Sequence, residues 1–231
     1  NPQRPMAKPF STASMDASSP AQLIADPDTA LLAWRHMCRS AAMAATYDKN
    51  RTICYYVHAN ARGHEAIQIA AGMQLEAQDW VSPYYRDDAI LLGCGWAPSE
   101  LMLQLIAKGT DPFSAGRSYY GHACSRNPRH PKMLHQSSAT GMQAIPTTGI
   151  AQGLAYREGQ GLALDGPNPI AVCSLGDASM TEGEVSEALQ FAALRKLPIV
   201  YLVQDNDWGI SVTAEEGRTM NAYEFAAGFK G

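Results

Sequence analysis

Three shortages narrow the possibilities first. Only 17% of the 231 residues are charged, and 18 basic against 22 acidic side chains leave a formal net charge of −4. Without a basic surplus there is no general footprint for polyanions, which argues against a nucleic-acid protein. No apolar run approaches the ~18 uninterrupted residues that a membrane-crossing helix needs. The five cysteines, Cys38, Cys54, Cys94, Cys124 and Cys173, are odd in number and scattered, with no CxxC pair. A disulfide framework and structural zinc are both poor readings, and a reducing compartment is the natural one.

Hydrophobic residues make up 46% of the chain, enough for one sizeable core or two small ones. Residues 1–27 read as an extended or disordered arm, because the first twenty are rich in Pro and Ser and poor in apolar content. Arg4 and Lys8 with Ser11 and Ser14 faintly suggest a transit peptide, but the apolar face such a peptide needs is missing. Residues 28–231 read as one α/β domain, truncated at its C-terminal end.

Helical spacing begins at Asp28, with Asp28 or Thr29 as cap and Leu31, Leu32, Trp34, Met37, Cys38, Ala41, Ala42 and Ala45 recurring. A second helix follows Gly63, with Ala66, Ile67, Ile69, Ala70 and Met73. A third runs from Pro98 to Lys108, with Gly109 just past its end. Residues 110–144 have little periodicity, and a connection of that length is disordered or functional. Residues 147–158 look helical, with small residues (Gly149, Ala151, Gly153, Ala155) suited to close backbone approach. Residues 170–175 form an apolar run fit for a strand buried on both faces. A helix over 184–196 follows, with Val185, Ala188, Leu189, Ala192 and Ala193 inward and Pro198 as its stop. Residues 199–203 make a second buried strand. Strand, helix and strand at this spacing form a βαβ unit of a parallel sheet. A last helical stretch covers 222–229.

The chemistry gathers at the ends of these two strands. Gly176-Asp177-Ala178-Ser179 follows the first, and Gln204-Asp205-Asn206-Asp207-Trp208-Gly209 follows the second. Parallel neighbours set the two loops side by side, where open α/β sheets bind their ligands. An Asp carboxylate and an Asn carbonyl are hard oxygen ligands suited to Mg²⁺ or Ca²⁺, and Mg²⁺ fills its octahedron with phosphates and water. The helix beginning near 181–183 points unpaired N–H groups to the same place. Taken singly, Asp177 reads as a helix cap and Asn206-Asp207 as a turn. Together they predict a divalent metal joining protein to a di- or triphosphate.

GDASMTEGEVSEALQFAALRKLPIVYLVQDNDWGIS resembles the thiamine diphosphate motif, which opens with Gly-Asp-Gly and closes with Asn-Asn. More narrowly, the chain is similar to the alpha subunit, or alpha half, of the decarboxylase component of 2-oxo acid dehydrogenases, branched-chain 2-oxoisovalerate type. GHEAIQIAAGMQL at 63–75, SPYYRDDAILLGCG at 82–95 and SSATGMQAIPTTGIAQGLA at 137–155 fit the same group in order and spacing. The fold implied is a three-layer parallel sheet flanked by helices.

The resemblance implies that Asp177 and Asn206 give side-chain oxygens to Mg²⁺, and Trp208 a main-chain carbonyl. Tyr85 and Arg86 would grip the diphosphate, Ala178 and Ser179 would offer it amide N–H groups, and Ser138 and Thr140 would line the aminopyrimidine side. Ser137, Met142 and Gln143 fall where some relatives hold potassium, with Met142 in place of an oxygen-bearing Thr. Ala178 replaces the motif's second Gly, Asp205 its first Asn, and Gln204 an Arg found in some relatives.

The implied reaction is oxidative decarboxylation of branched-chain 2-oxo acids with thiamine diphosphate and Mg²⁺. The implied partners are a beta subunit or fused beta domain and a lipoylated acyltransferase core. The assembly would be a hetero-tetramer, or a homodimer of a fused chain, in the cytoplasm or a mitochondrial matrix. The activating glutamate and the substrate histidine of the family have no counterpart among these residues. Pyruvate or acetoin oxidation, and a non-catalytic scaffold of the same fold, are the alternatives.

The remaining candidates read as structural. His122 and His130, with His135, are expected to be solvated loop residues, and His58 has no assignable role. Glu65, beside His64, should support a first helical turn. Trp96, Tyr84, Phe113 and Tyr119 are expected to pack.

Overall fold

The computed structural model describes residues 26–57, 59–134 and 138–230. The arm at 1–25, His58, His135 and Ser137 lie outside the described residues.

The first helix, α1 (Pro27–Lys49), starts one residue earlier than the periodicity predicts, because Asp26 is the cap. The Asp26 carboxylate accepts from the N–H groups of Asp28 and Thr29, each at 3.1 Å, and Pro27 opens the helix. Its buried stripe is His36, Ser40, Met43, Ala44 and Tyr47, whereas Leu31, Leu32 and Trp34 face outward. The period was legible and the inward face was not. Two short helices follow, α2 (Glu65–Gly72) and α3 (Asp88–Gly93), the second without a sequence signal. They cross so closely that a Cβ at Gly72 would stand 2.3 Å from the Ile90 carbonyl oxygen. Helix α4 (Pro98–Leu105) stops three residues short of the expected end. Ala107 has turned left-handed there (φ 51°), so Gly109 is not the cap.

A parallel sheet lies at the centre. Strands β1 (Trp80–Ser82), β2 (Lys132–Met133), β3 (Ala171–Gly176) and β4 (Ile199–Gln204) stand in the order β2-β1-β3-β4. β3 pairs with β4 from Ala171↔Ile199 to Gly176↔Gln204, and with β1 up to Ser82↔Cys173. β1 and β2 are too short to show a period, so only β3 and β4 were readable. All six residues of β3 are buried. β4, expected to be equally buried, is an edge strand with Val200 half exposed.

Alternate residues of β3 point to opposite faces, as the pleat requires. Val172 joins a cluster with Met43, Val81, Ile90, Leu92, Trp96, Leu101 and Met133. Cys173 and Leu175 join Ala144, Met180, Val185, Ala188 and Ala222. The second cluster is covered by α5 (Ala144–Gly159) and α6 (Gly183–Arg195). The expected three-layer α/β class is therefore the architecture. α6 presents Val185, Ala188 and Ala192 inward and ends on Lys196 in the left-handed conformation, ahead of Pro198. In α5, Gly149 and Gly153 meet open space, so close backbone approach through them is not realised among the described residues.

Residues 110–131 are packed by polar turns instead of regular periodicity. The Asp111 carboxylate alone accepts from the N–H groups of Phe113, Ser114 and Gly116 and from the Ser114 hydroxyl. After β4 the chain makes a small hairpin, β5 (Trp208–Gly209) with β6 (Val212–Thr213). Two short helices follow, α7 (Ala214–Gly217) and α8 (Ala222–Ala226). Among the described residues no helix is long and apolar enough to cross a membrane.

Candidate functional site

The segments that follow β1 and β3, with the hairpin after β4, enclose one cleft of ≈ 260 Å³. β1 runs out into Pro83-Tyr84-Tyr85-Arg86. β3 ends in a 3₁₀ turn, Asp177–Thr181. The hairpin and α7 fold back opposite. The lining includes Tyr85, Arg86, Thr140, Asp177, Ala178 and Trp208. The first N–H groups of a helical turn have no intrahelical partner, so the turn at Asp177–Ser179 presents donors at the cleft floor.

Tyr84, Tyr85 and Arg86 form one stacked unit. The two tyrosine rings lie 4.0 Å apart, and the Arg86 guanidinium sits 5.3 and 5.1 Å from their centroids. One guanidinium nitrogen donates to the Tyr85 hydroxyl at 2.9 Å, while its buried Nε has no partner among the described residues. Gly121 makes this possible, since at φ 74° a Cβ there would stand 2.5 Å from the Tyr85 carbonyl oxygen. Burial pushes the Tyr84 hydroxyl well above the usual tyrosine range, with Tyr85 adding to it.

Asp177 is 1% exposed. Its Oδ2 accepts from Arg218 at 2.5 Å, and its buried Oδ1 has no partner among the described residues. The other Arg218 nitrogen donates to Asp205 at 2.8 Å and Asp207 at 3.1 Å. Burial would raise the Asp205 carboxyl, but the Asp207 N–H and Arg218 outweigh it and hold it below the ordinary range. Burial likewise works against the Arg218 charge, and Asp177 and Asp205 more than offset it.

Residues 34–230 match the family described as "Dehydrogenase E1 component". The chain belongs to the dehydrogenase E1 component family. Among curated relatives, the 2-oxoisovalerate dehydrogenase subunit alpha of Bacillus subtilis (strain 168) is 34% identical over 152 residues. That match covers 65% of this chain and 43% of the relative. The pyruvate dehydrogenase E1 component subunit alpha of Bacillus cereus is 29% identical over 178 residues, covering 75% and 42%. The 3-methyl-2-oxobutanoate dehydrogenase subunit alpha of Mycobacterium tuberculosis (strain CDC 1551 / Oshkosh) is 32% identical over 151 residues, covering 65% and 35%. The chain spans less than half the length of these relatives.

Within this E1 family chain, the residues singled out from sequence divide into two groups. Tyr85, Arg86, Thr140, Asp177, Ala178 and Trp208 share the cleft. Asn206 and Ser138 are not in its lining. Asn206 is exposed, and its Oδ1 accepts the Trp208 N–H at 3.0 Å in a local turn. Ser138 borders a neighbouring recess, where its hydroxyl meets His122 Nε2 at 3.0 Å. Ser179 is fully buried, its hydroxyl beside that of Tyr84. Gln204 is buried too, donating to Asp87 at 2.6 Å and Ser174 at 2.9 Å, so its side chain serves the floor and not the cleft.

The unpaired groups suit a metal-bound diphosphate in part. A lone carboxylate oxygen on Asp177 matches a cation, and a lone N–H on Arg86 matches an anion. The Asn206 oxygen keeps one lone pair beyond its turn. Among the described residues no group of three His, Cys, Asp or Glu side chains is disposed to hold a metal. The family-implied set, with a single carboxylate, does not require one.

Two histidines depart from expectation. His122 and His130 are buried, not solvated. His130 stacks on Trp96 at 4.3 Å and meets the Cys94 carbonyl at 2.9 Å. His64 heads α2, and burial, then the Arg86 charge, push its imidazole below the ordinary range. As expected, the Glu65 carboxylate supports that helix start, accepting the Gly63 N–H at 2.8 Å. Arg218 went unread, because nothing local marks an arginine 41 positions after Asp177 as its partner.

Proposed function

We propose that this chain anchors thiamine diphosphate in the E1 component of a 2-oxo acid dehydrogenase. On this reading Asp177, Asn206 and the Trp208 carbonyl hold Mg²⁺. Tyr85, Arg86 and the N–H groups of Ala178 and Ser179 hold the diphosphate, and Ser138 and Thr140 attend the aminopyrimidine. Bound there, the cofactor would supply the electron sink for decarboxylation. The protein's own residues fix its charged end and exclude water from it. The observation that carries the reading is the unpartnered Asp177 Oδ1, buried in the lining of a cleft at the carboxyl ends of parallel strands.

The substrate of this reading is a branched-chain 2-oxo acid, with a beta subunit or fused beta domain completing the site and a lipoylated acyltransferase accepting the acyl group. The two relatives named for 2-oxoisovalerate and 3-methyl-2-oxobutanoate, at 34% and 32% identity, support that choice over the pyruvate relative at 29%. One methylene in a pocket is worth only ~1–3 kcal/mol, so relative rates on 3-methyl-2-oxobutanoate and pyruvate decide the matter.

Titration calorimetry on the assembled protein tests the cofactor itself. Thiamine diphosphate should bind in the presence of Mg²⁺, and Asp177→Ala should remove most of the metal-dependent affinity. Undiminished binding in that variant would refute the assignment.

A further inference from the structure

Among the described residues, Arg218 is the one that ties the ends of β3 and β4 together by charge. Its guanidinium bridges Asp177, Asp205 and Asp207, and its side chain is only 9% exposed. One of these acids is a departure from the motif, and another lies just beyond it. Asp205 stands where the resembled motif has Asn, and Asp207 adds a second carboxylate two positions on. Left alone, they would surround the cleft with negative charge and repel a diphosphate.

The arginine is placed by a short, well-capped element. Thr213 and Glu216 form a reciprocal capping box around α7, in which Thr213 Oγ1 accepts the Glu216 N–H and the Glu216 carboxylate accepts the Thr213 N–H. The Arg218 N–H then closes on the Ala214 carbonyl at 2.9 Å. The side chain lines the cleft, as Arg86 does. It takes one oxygen of Asp177 and leaves the other, Oδ1, buried with no hydrogen-bond partner among the described residues.

Resting on the cofactor-anchoring reading above, we infer that Arg218 is a positioning residue for the metal–diphosphate site. It fixes the Asp177 carboxylate through Oδ2, which leaves Oδ1 free for a cation, and it offsets the negative charge of Asp205 and Asp207. A partner that orients a liganding carboxylate in this way is worth about 10–100-fold in metal affinity. Of the two acids, Asp205 matters more, because Asp207 is 81% exposed and screened by solvent.

The test is calorimetry of Mg²⁺ and thiamine diphosphate on the assembled protein, comparing wild type, Arg218→Lys, Arg218→Met and the double variant Arg218→Met/Asp205→Asn. Arg218→Met should weaken Mg²⁺-dependent cofactor binding at least about 10-fold, and Arg218→Lys, which keeps the charge, should lose less. Adding Asp205→Asn to Arg218→Met should restore part of the loss, which a merely misfolded variant would not do. Wild-type affinity in Arg218→Met, or a double variant no better than the single one, would overturn the inference. So would tighter Mg²⁺ binding in Arg218→Met, the sign of a latch that must leave before the metal enters. A wild type that binds no thiamine diphosphate would instead bring down the proposed function, so the two failures are separable.

Discussion

Asp87 offers the sharpest test of the buried polar floor. It is 2% exposed, and its carboxyl group is held by neutral donors. Its oxygens accept from the Tyr84 N–H and from Gln204 Nε2, both at 2.6 Å. Burial outweighs the lowering by Ser174, the Tyr84 N–H and Gln204, and raises the group from 3.8 to about 6. The folded state therefore holds a proton that the unfolded chain has released between those values. Stability falls as pH rises through that window, and the full penalty stands above it. At about 1.4 kcal/mol per pH unit, the penalty amounts to ~3 kcal/mol at neutral pH. The amide of Asp87→Asn cannot ionise. Stability of that variant relative to wild type should improve by roughly 2 kcal/mol between pH 4 and pH 7. The exchange of hydrogen bonds sets only the constant offset. Seating the introduced amide requires the Gln204 amide to invert and the Gln68 amide with it, because Gln68 Nε2 donates to Gln204 Oε1 at 2.7 Å. Urea unfolding across this pH range measures the difference, and a carbon-13 titration of the Asp87 carboxyl reads its ionisation directly. Parallel stability curves for the two proteins would refute the reasoning.

Two glycines give further tests. Gly72→Ala drives a Cβ to 2.3 Å from the Ile90 oxygen and 3.1 Å from the Gly93 Cα, so α2 and α3 must separate. Overpacking of this kind costs ~1–3 kcal/mol, and the denaturant midpoint should fall accordingly. Gly121→Ala combines a left-handed φ of 74° with a 2.5 Å clash against the Tyr85 carbonyl. It should lower the melting temperature and, by displacing the Tyr85–Arg86 unit, weaken cofactor binding in the same protein. An unchanged Tm would mean that the backbone at Tyr85 yields freely.

What the sequence revealed, and what it hid, follows from the range of each interaction. β3, α6 and β4 were legible because a continuous apolar run, a 3.6-residue period and a stop at Pro198 are local signals. β1 and β2, at three and two residues, carry no period of their own and exist through pairing with Ala171–Cys173 and with each other. The inward face of α1 was not legible, because Leu31, Leu32 and Trp34 are more apolar than His36 and Ser40, which the fold buries instead. Of the residues named for the site, Asp177 and Trp208 could be placed after readable strands, Tyr85 and Arg86 came from the resemblance alone, and the four share a cleft. Arg218 could not, because its importance comes from three carboxylates that only the closed hairpin brings to it.

The same distinction separates the floor of the cleft from its wall. Beneath the loops, Thr147 Oγ1 donates to Ser82 Oγ at 2.6 Å, and Gln143 Nε2 donates to the Ser174 carbonyl at 2.8 Å. Gln204 then links Ser174 and Asp87 to Gln68, which donates to it at 2.7 Å. These bonds span β1, β3, β4, α2 and α5, and all are buried. Breaking one strands a polar group out of reach of water, at about 1–3 kcal/mol. The loops that carry Tyr85 and Asp177 are therefore held by cross-strand bonds that do not depend on any ligand. The wall is different in kind. It is a hairpin of two residues per strand, with Trp208 52% exposed and Ile210 in a left-handed conformation (φ 59°) that a β-branched residue rarely adopts. Its principal charged tie to the floor is Arg218. The floor is thus fixed independently of the hairpin, and the Arg218 guanidinium is the point where the two are coupled.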